Sequence, residues 1–370
     1  MKVALVHEFL TQFGGAERVL LALKELYPDA PIYTLIYNPK TMSKWFGKYD
    51  IRTSWLQGLP MAKTKYRWYL LLMPWAIQSF DFSDYDLVIS DSSAFAKGIT
   101  TKKPTVHASY IHTPTRYLWQ DEAFYRATAA PKLLQPLIKL VTPWLRSWDF
   151  RASKRPDYLL ANSQTVADRV KKYYKRNATP IHSFVDAKRF SIASASRRKP
   201  KNYYLMAGRI VPYKRYDIVI EAFKQLGLPL VVAGTGWGEQ QLKVKSEKLK
   251  VSNIKFVGHV TDKQLAKLYR ECEALIFPAL EDFGIVPLEA MASGRPVIAY
   301  GVGGAVETIA SGKTGIFFDT QTPEAVIKAV KQFERTKGSF NPRQIRAHAL
   351  TFDKSVFKQK FRTFIKSILN

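Results

Sequence analysis

Cysteine is almost missing: the 370 residues contain one, Cys272, so the chain can form no internal disulfide. That excludes a disulfide framework and fits a reducing compartment. Cys272 stands in "ECEALIF" and reads as a small core residue. Acidic residues are also scarce. There are 30 against 57 Lys and Arg, a formal charge of +27. Such a surface favours polyanions or an anionic membrane. Long apolar runs are missing too, and none approaches the ~20 residues needed to span a bilayer. The N-terminal "MKVALVHEFL" is interrupted by His7 and Glu8 too early for a signal peptide. The expectation is a cytoplasmic protein, soluble or peripheral at the inner face of the membrane. No G-x-G-x-x-G run opens the chain, and zinc spacing, a helix-turn-helix and an aromatic RNA-binding signature are all absent. These gaps argue against a dinucleotide enzyme and a nucleic-acid binder. "GTGWG", Gly234 to Gly238, partly resembles the glycine fingerprint but has no matching acid, and reads as a turn.

What remains is an ordinary globular composition, 46% apolar, 13% aromatic and 24% charged. The length exceeds what one core usually serves, so two domains are expected. Short apolar runs alternate with helical patterns. "KVALV", "PIYTLI", "DLVIS", "TVHASYI" and "YLLAN" read as strands in the first half. "NYYLMAG", "LPLVVAG", "NIKFVG", "EALIFP", "PVIAY" and "GIFF" do so in the second. Near-continuous apolar runs suit parallel strands covered on both faces. "GAERVLLALKEL", "SQTVADRVKKYYK", "KRYDIVIEAFKQL" and "TDKQLAKLYREC" read as intervening helices, so the pattern predicts two Rossmann-like doubly wound α/β domains in series, facing a cleft. The polar run Ser191 to Asn202 is the expected linker. The expected division is 1–190, 203–350, and 351–370 as a last helix returning to the first domain. Its apolar positions Val356, Phe357, Phe361, Phe364, Ile365 and Ile368 fall at helical spacing.

Ligands of such sheets bind beyond the carboxyl ends of strands. Gly14 and Gly15 follow the first strand and can free backbone N–H groups at a helix start; a plain tight turn is the alternative. His112 follows "HASYI", with Thr113, Arg116, Tyr117 and Trp119 beside it: polar donors next to aromatic faces, as carbohydrate recognition requires, with Arg116 and Trp119 expected on the acceptor side. Arg209 and Lys214 follow "NYYLMAG" and suit a diphosphate, one as a fork and one as a point charge. A solvated basic loop is their bland alternative. Gly301, Gly303 and Gly304 precede a short helix with Glu307. His259 and Val260 follow "FVG", where a nucleobase could rest.

Two glutamates, Glu281 and Glu289, lie in "PALEDFGIVPLEAMASGRPVIAYGVGG". A hydrolytic carboxylate pair, a metal site and hydroxyl recognition are all conceivable. Both sit in one strand–loop–helix unit beside a cationic diphosphate site, and only Asp282 is added as a further ligand. Hydroxyl recognition is favoured, and no metal is expected.

At these residues the chain resembles the retaining glycosyltransferases of family 4, which have the GT-B fold. The resemblance extends over most of the chain. "EDFGIVPLEAMASGRPVIAYGVGGAVETI" is similar to the family's paired-glutamate motif, and "AGRIVPYKR" to its phosphate-binding segment. "HEFLTQFGGAERV" and "YIHTPTRYLW" resemble N-terminal signatures of the subgroup that makes bacterial surface polysaccharides, with mannosyl- or rhamnosyl-type transfer. "HSFVDAKRF" departs from the family's Asn-Gly-Val-Asp-like run.

The resemblance implies roles. Gly14 and Gly15 would approach donor phosphate and acceptor, and His112 the transferred sugar. Arg209 and Lys214 would stabilise the leaving diphosphate. Glu281 would accept from donor-sugar hydroxyls and Glu289 from ribose. Phe283, Gly284 and Ile285 would line the donor, with Gly303 and Gly304 bordering the phosphates. Transfer would be metal-independent, by front-face departure and attack, with a nucleotide-sugar as co-substrate and no other cofactor. GDP-mannose or a related GDP-sugar is the favoured donor. A nucleotide-sugar 2-epimerase of the same fold is the nearest rival.

Two stretches interleave cations with Trp, Tyr and Leu: Lys63 to Ile77, with Lys65, Arg67 and Trp68, and Pro131 to Asp157. Read as basic amphipathic helices, they suit an anionic bilayer and a lipid-linked glycan acceptor. Core-facing helices with a basic rim are the alternative.

Overall fold

A computed structural model describes residues 1–120, 122, 135–192, 201–236 and 252–369. The chain forms two compact units: Met1–His182 together with the chain from Lys358 onward, and Ser183–Phe357.

The first unit is built on a seven-stranded sheet. Its strands are β1 (Val3–Leu10), β2 (Ile32–Tyr37), β3 (Ile51–Thr53), β4 (Leu87–Ser92), β5 (Val106–Ile111), β6 (Tyr158–Ala161) and β7 (Thr179–Pro180). Their order is β3-β2-β1-β4-β5-β6-β7, every pair parallel. The second unit has six: β8 (Tyr204–Ala207), β9 (Leu230–Ala233), β10 (Ile254–Gly258), β11 (Leu275–Phe277), β12 (Val297–Tyr300) and β13 (Gly315–Phe318). Their order is β10-β9-β8-β11-β12-β13, again parallel throughout. Burial explains the sequence pattern. Leu5 and Val6 in β1, and Leu275 and Ile276 in β11, are shut off from solvent on successive positions, as a sheet covered on both faces demands.

The longer helices of the first unit are α1 (Gly15–Leu26), α2 (Pro39–Phe46), α3 (Met73–Gln78), α4 (Gln135–Ala152) and α5 (Gln164–Tyr174). Those of the second are α6 (Tyr216–Leu226), α7 (Asp262–Glu271), α8 (Ile285–Ala292), α9 (Pro323–Thr336) and α10 (Pro342–Leu350). Local chemistry sets their starts. The Ser163 hydroxyl accepts from Val166 N–H at α5. Thr261 and Gln264 form a capping box at α7, and Thr322 caps α9 ahead of Pro323. In both sheets the strand order reverses once, between β1 and β4 and between β8 and β11. These switch points are where such sheets bind ligands.

The structure moves the division between the halves. It falls at His182/Ser183, ahead of residue 190. Val185 pairs with Asp353, and Phe190 packs on Tyr269 with ring centroids 5.8 Å apart. Arg346 donates to the Phe190 carbonyl at 2.7 Å. Apolar Val185 and Phe190 thus carry "HSFVDAKRF" into the second core. The expected linker lies largely outside the described residues, at 193–200.

The last helix, α11 (Lys354–Leu369), begins in the second unit and belongs to the first from Lys358 onward. Phe361 meets Tyr110, Phe364 meets Tyr158, and the Lys358 ammonium reaches Glu25 at 3.0 Å.

The stretch Lys63 to Ile77 is not one helix. It breaks into a turn at Ala62–Lys65, a 3-10 turn at Tyr66–Tyr69, and α3. Pro74 lies in the first turn of α3, where its missing N–H costs nothing but where a helix cannot run straight through.

Candidate active site

At the first switch point, β1 and β4 bring ionised side chains together. His7 Nδ1 lies 2.9 Å from Asp91 Oδ2, and His7 Nε2 lies 3.4 Å from Glu17 Oε1. His112, just beyond β5, places Nε2 2.5 Å from the other Asp91 oxygen. Asp91 is fully buried, so burial works against its ionisation. His112 and His7 outweigh that and hold its carboxyl below the usual range. Burial also works against a charge on either histidine, yet the carboxylates win. Asp91 and Glu17 hold His7 well above its ordinary 6.5, and Asp91 raises His112. Gly14 and Gly15 open α1, which supplies Glu17. Beside this group the Glu8 carboxylate accepts from Ser92 Oγ and from the backbone N–H groups of Ser93, Ala94 and Ala96, at 2.8–3.1 Å. It clamps the loop after β4.

A second buried group lies behind His112. Asp149, on α4, accepts from Lys97 Nζ at 2.6 Å, Thr115 Oγ1 at 2.7 Å, Trp119 Nε1 at 2.7 Å and Tyr174 OH at 2.9 Å. Trp119 also stacks on Tyr173. Its indole N–H and ring are therefore engaged inside the unit, which gives Trp119 a structural position where the sequence placed an acceptor contact. Arg116 is half-buried in the same turn.

At the second switch point a lysine–glutamate pair takes the same place. Lys214, in the loop after β8, lies 3.0 Å from Glu281 Oε1, after β11. Burial works against the Lys214 charge, but Glu281 outweighs it and lifts the pKa to about 12. The ammonium is therefore fixed at neutral pH. Arg209 stands exposed at the end of β8, and among the described residues it makes no ion pair.

The glycine loop after β12 closes on the same segment. Gly304 N–H donates to the Glu281 carbonyl at 2.9 Å. A Cβ on Gly304 would come within 2.3 Å of Phe283 Cα, and one on Gly303, at φ +73°, within 2.6 Å of the Glu281 carbonyl oxygen. Both glycines are explained by this backbone approach, which fixes the loop holding Glu281. Gly284, at φ +85°, starts α8 with Ile285, and Phe283 is buried against Phe352.

Glu289 lies within α8, 7% exposed, and accepts from Tyr269 OH at 3.0 Å. Burial pushes its carboxyl up to about 7. His259 is exposed just past β10, and Val260 is half-buried on the second core. Lys63, Lys65, Arg67 and Trp68 are exposed, remote in sequence from both switch points. The structure thus brings together Lys214, Glu281, Gly303 and Gly304 in one unit, and Gly14, Gly15 and His112 in the other. His7, Glu17 and Asp91 are additions. Asp91 is next to last in β4, close to where the end-of-strand rule looks, whereas His7 lies in the middle of β1 and carries no such signal.

Two parallel Rossmann-like sheets in one chain are the architecture of the GT-B glycosyltransferases. Residues 13–189 match the model of Glycosyltransferase Family 4, and residues 187–348 that of Glycosyl transferases group 1. The chain is similar to the glycosyltransferases that these two models describe, each along just under half of its length. It is similar to the D-inositol 3-phosphate glycosyltransferase of Streptomyces avermitilis, 29% identical over 204 residues, 48% of this chain and 44% of that protein. It is also similar to O-antigen chain mannosyltransferase C of Escherichia coli, 27% identical over 218 residues and 57% of each. The chain spans about half the length of the curated relatives it matches. Among solved structures, Anabaena HepE in complex with UDP has the same fold, with TM-score 0.75 over 99% of this chain and 100% of that one, at 18% identity.

Proposed function

We propose that this protein is a retaining, metal-independent hexosyltransferase that uses a nucleoside-diphosphate sugar. The observation that carries the reading is the Lys214–Glu281 pair at the β8/β11 switch point, with exposed Arg209 beside it. A diphosphate leaving group needs fixed cations, and Lys214 is held charged. Glu281 Oε1 faces the lysine, and the same carboxylate accepts from donor-sugar hydroxyls. A carboxylate engaged in this way does not serve as a covalent nucleophile. The acceptor oxygen forms its bond to the anomeric carbon on the face from which the diphosphate departs. The C–O bond to phosphate breaks with both electrons going to the diphosphate, and the acceptor proton passes to a departing phosphate oxygen. The products are a glycoside and a nucleoside diphosphate. Catalysis is then positioning and charge stabilisation. Glu289 accepts from the ribose, and His112 contacts the transferred sugar.

The reading takes GDP-mannose as donor and a lipid-linked glycan in surface-polysaccharide synthesis as acceptor; similarity to an O-antigen chain mannosyltransferase supports mannosyl transfer. The test begins with thermal shifts against GDP, UDP and ADP, followed by incubation with the matching sugar nucleotides. GDP should stabilise most. Calorimetry on Arg209→Ala and Lys214→Ala should show weakened diphosphate binding with little change for the nucleoside. Epimerised sugar from donor alone, or product of inverted anomeric configuration, would overturn the reading.

A further inference from the structure

We propose that the first unit docks on an anionic lipid bilayer through one composite face, formed by the segment Trp68–Trp75 and the start of α4. The inference rests on the reading of the acceptor as lipid-linked and identifies the surface that brings the enzyme to it. Among the described residues no helix is long and apolar enough to cross a membrane.

The sequence "WYLLLMPWAI" is apolar all round, and the structure shows what each side does. Met73, Ala76 and Ile77 are fully buried in the core of the first unit. Trp68, Leu71, Leu72 and Trp75 face outward, 66%, 41%, 36% and 55% exposed. Trp68 stands in the 3-10 turn, Trp75 in α3, and Leu71 and Leu72 in the turn that joins them. A second element joins them. Trp144 on α4 stacks on Trp75 with ring centroids 5.4 Å apart, and Leu140, one turn earlier, is 76% exposed. Together they leave on the order of several hundred Å² of apolar side chain in water, a size that marks an interaction site.

The rim decides the partner. Between Asp50 and Asp81 the sequence has no acid and four cations, Arg52, Lys63, Lys65 and Arg67. The Lys65 ammonium sits 4.5 Å over the Trp68 ring, joining charge to aromatic face. From Gln135 to Trp148 there is again no acid, while Lys139 and Arg146 are present. Tryptophans at the centre, leucines between them and cations around them match the headgroup–acyl boundary of an anionic bilayer. A second copy of this chain would meet the same cations across the face, and their repulsion disfavours it.

The experiment uses the full chain and vesicles of phosphatidylcholine alone or with phosphatidylglycerol. Wild type should sediment with the anionic vesicles, be largely released by salt, and ignore the neutral ones. Bromine in the acyl chains should quench its tryptophan fluorescence. Trp68→Ala/Trp75→Ala should lower partitioning roughly tenfold or more and abolish most of the quenching. Lys63→Glu/Lys65→Glu/Arg67→Glu should remove the anionic preference. GDP and UDP binding, measured on the same preparations, should be unchanged in both variants. Wild type that ignores anionic vesicles at low salt would overturn the proposal. So would unquenched tryptophans, or loss through the double variant of a dimer that binds no lipid. Docking without any nucleotide binding would instead count against the transferase reading alone.

Discussion

The two switch points use one plan with opposite exposure. In each sheet a cation from one side of the reversal meets a carboxylate from the other: His7 with Asp91 within the strands, and Lys214 with Glu281 in the loops that follow them. In the first sheet the pair is shut away, its side chains 3% and 0% exposed, and shared with His112 and Glu17. In the second it remains accessible, at 13% and 22%. The difference separates tasks. A buried, mutually satisfied cluster fixes geometry and protonation. An open pair next to Arg209, which makes no ion pair among the described residues, keeps charge available for a ligand.

The largest effect should come from the open pair. Glu281→Gln removes the charge opposite Lys214 and should lower turnover about a hundredfold or more. Because both groups are partly exposed, the melting temperature should stay within a few degrees. Steady-state kinetics beside a melting curve provide the check. A folded variant with near wild-type turnover would remove Glu281 from the donor site.

Next comes the buried cluster. Asp91→Asn removes the carboxylate that holds both histidines protonated. The stabilisation from His112 and His7 is fully present below their ordinary 6.5 and is lost as pH rises through their folded values. That from Asp91 is present above its ordinary 3.8 and lost as pH falls through its folded value. The wild-type advantage should therefore be widest between these ordinary values and narrow toward alkaline pH. Histidine proton resonances should show the His112 titration moving down by a unit or more (about 1.4 kcal/mol per unit), with the alkaline limb of turnover following it. An unmoved titration would mean that Asp91 does not set the charge of His112.

The same contrast explains what was legible in the sequence. All eleven apolar runs read as strands form strands, because a buried parallel strand announces itself by composition. β3 and β7 went unread: three and two residues at the two edges of the sheet are too short to carry a pattern. The second site was readable because Arg209, Lys214, Glu281 and the glycines occupy contiguous loops after strands. Half of the first was hidden. His7 and Asp91 become neighbours only through the β1/β4 pairing, Glu17 reaches His7 from α1, and His7 sits within its strand. The bond from Trp119 to Asp149 was not legible, because Asp149 lies 30 residues away on another element.

Glu289 offers a third, smaller break in the comparison, since it is a buried carboxylate in the otherwise open site. Its folded pKa of about 7 lies above the ordinary 4.5 because burial penalises the charged form. Such a group contributes stability below pH 4.5 that is lost as pH rises through about 7. Glu289→Gln keeps an acceptor for Tyr269 and lacks that penalty. Relative to the variant, wild type should lose on the order of 2–4 kcal/mol between acid and mildly alkaline pH. Urea unfolding at both ends of the range tests this, and parallel pH profiles would refute it.

The smallest effect is expected at Trp119, where the sequence and the structure assign different jobs. As an acceptor contact, Trp119 would alter acceptor affinity when changed and leave the fold alone. As an Asp149 donor stacked on Tyr173, it should do the reverse. Trp119→Phe keeps an aromatic ring on Tyr173 and deletes one hydrogen bond to a buried carboxylate, which still has Lys97, Thr115 and Tyr174 as partners. A hydrogen bond to a charged group contributes about 1.5–3 kcal/mol, and the remaining donors place the loss at the lower end. Denaturation should show that loss, while KM for the acceptor stays at the wild-type value and kcat falls no more than about twofold. A raised acceptor KM with unchanged stability would restore Trp119 to the acceptor site and leave the Asp149 cluster complete without it.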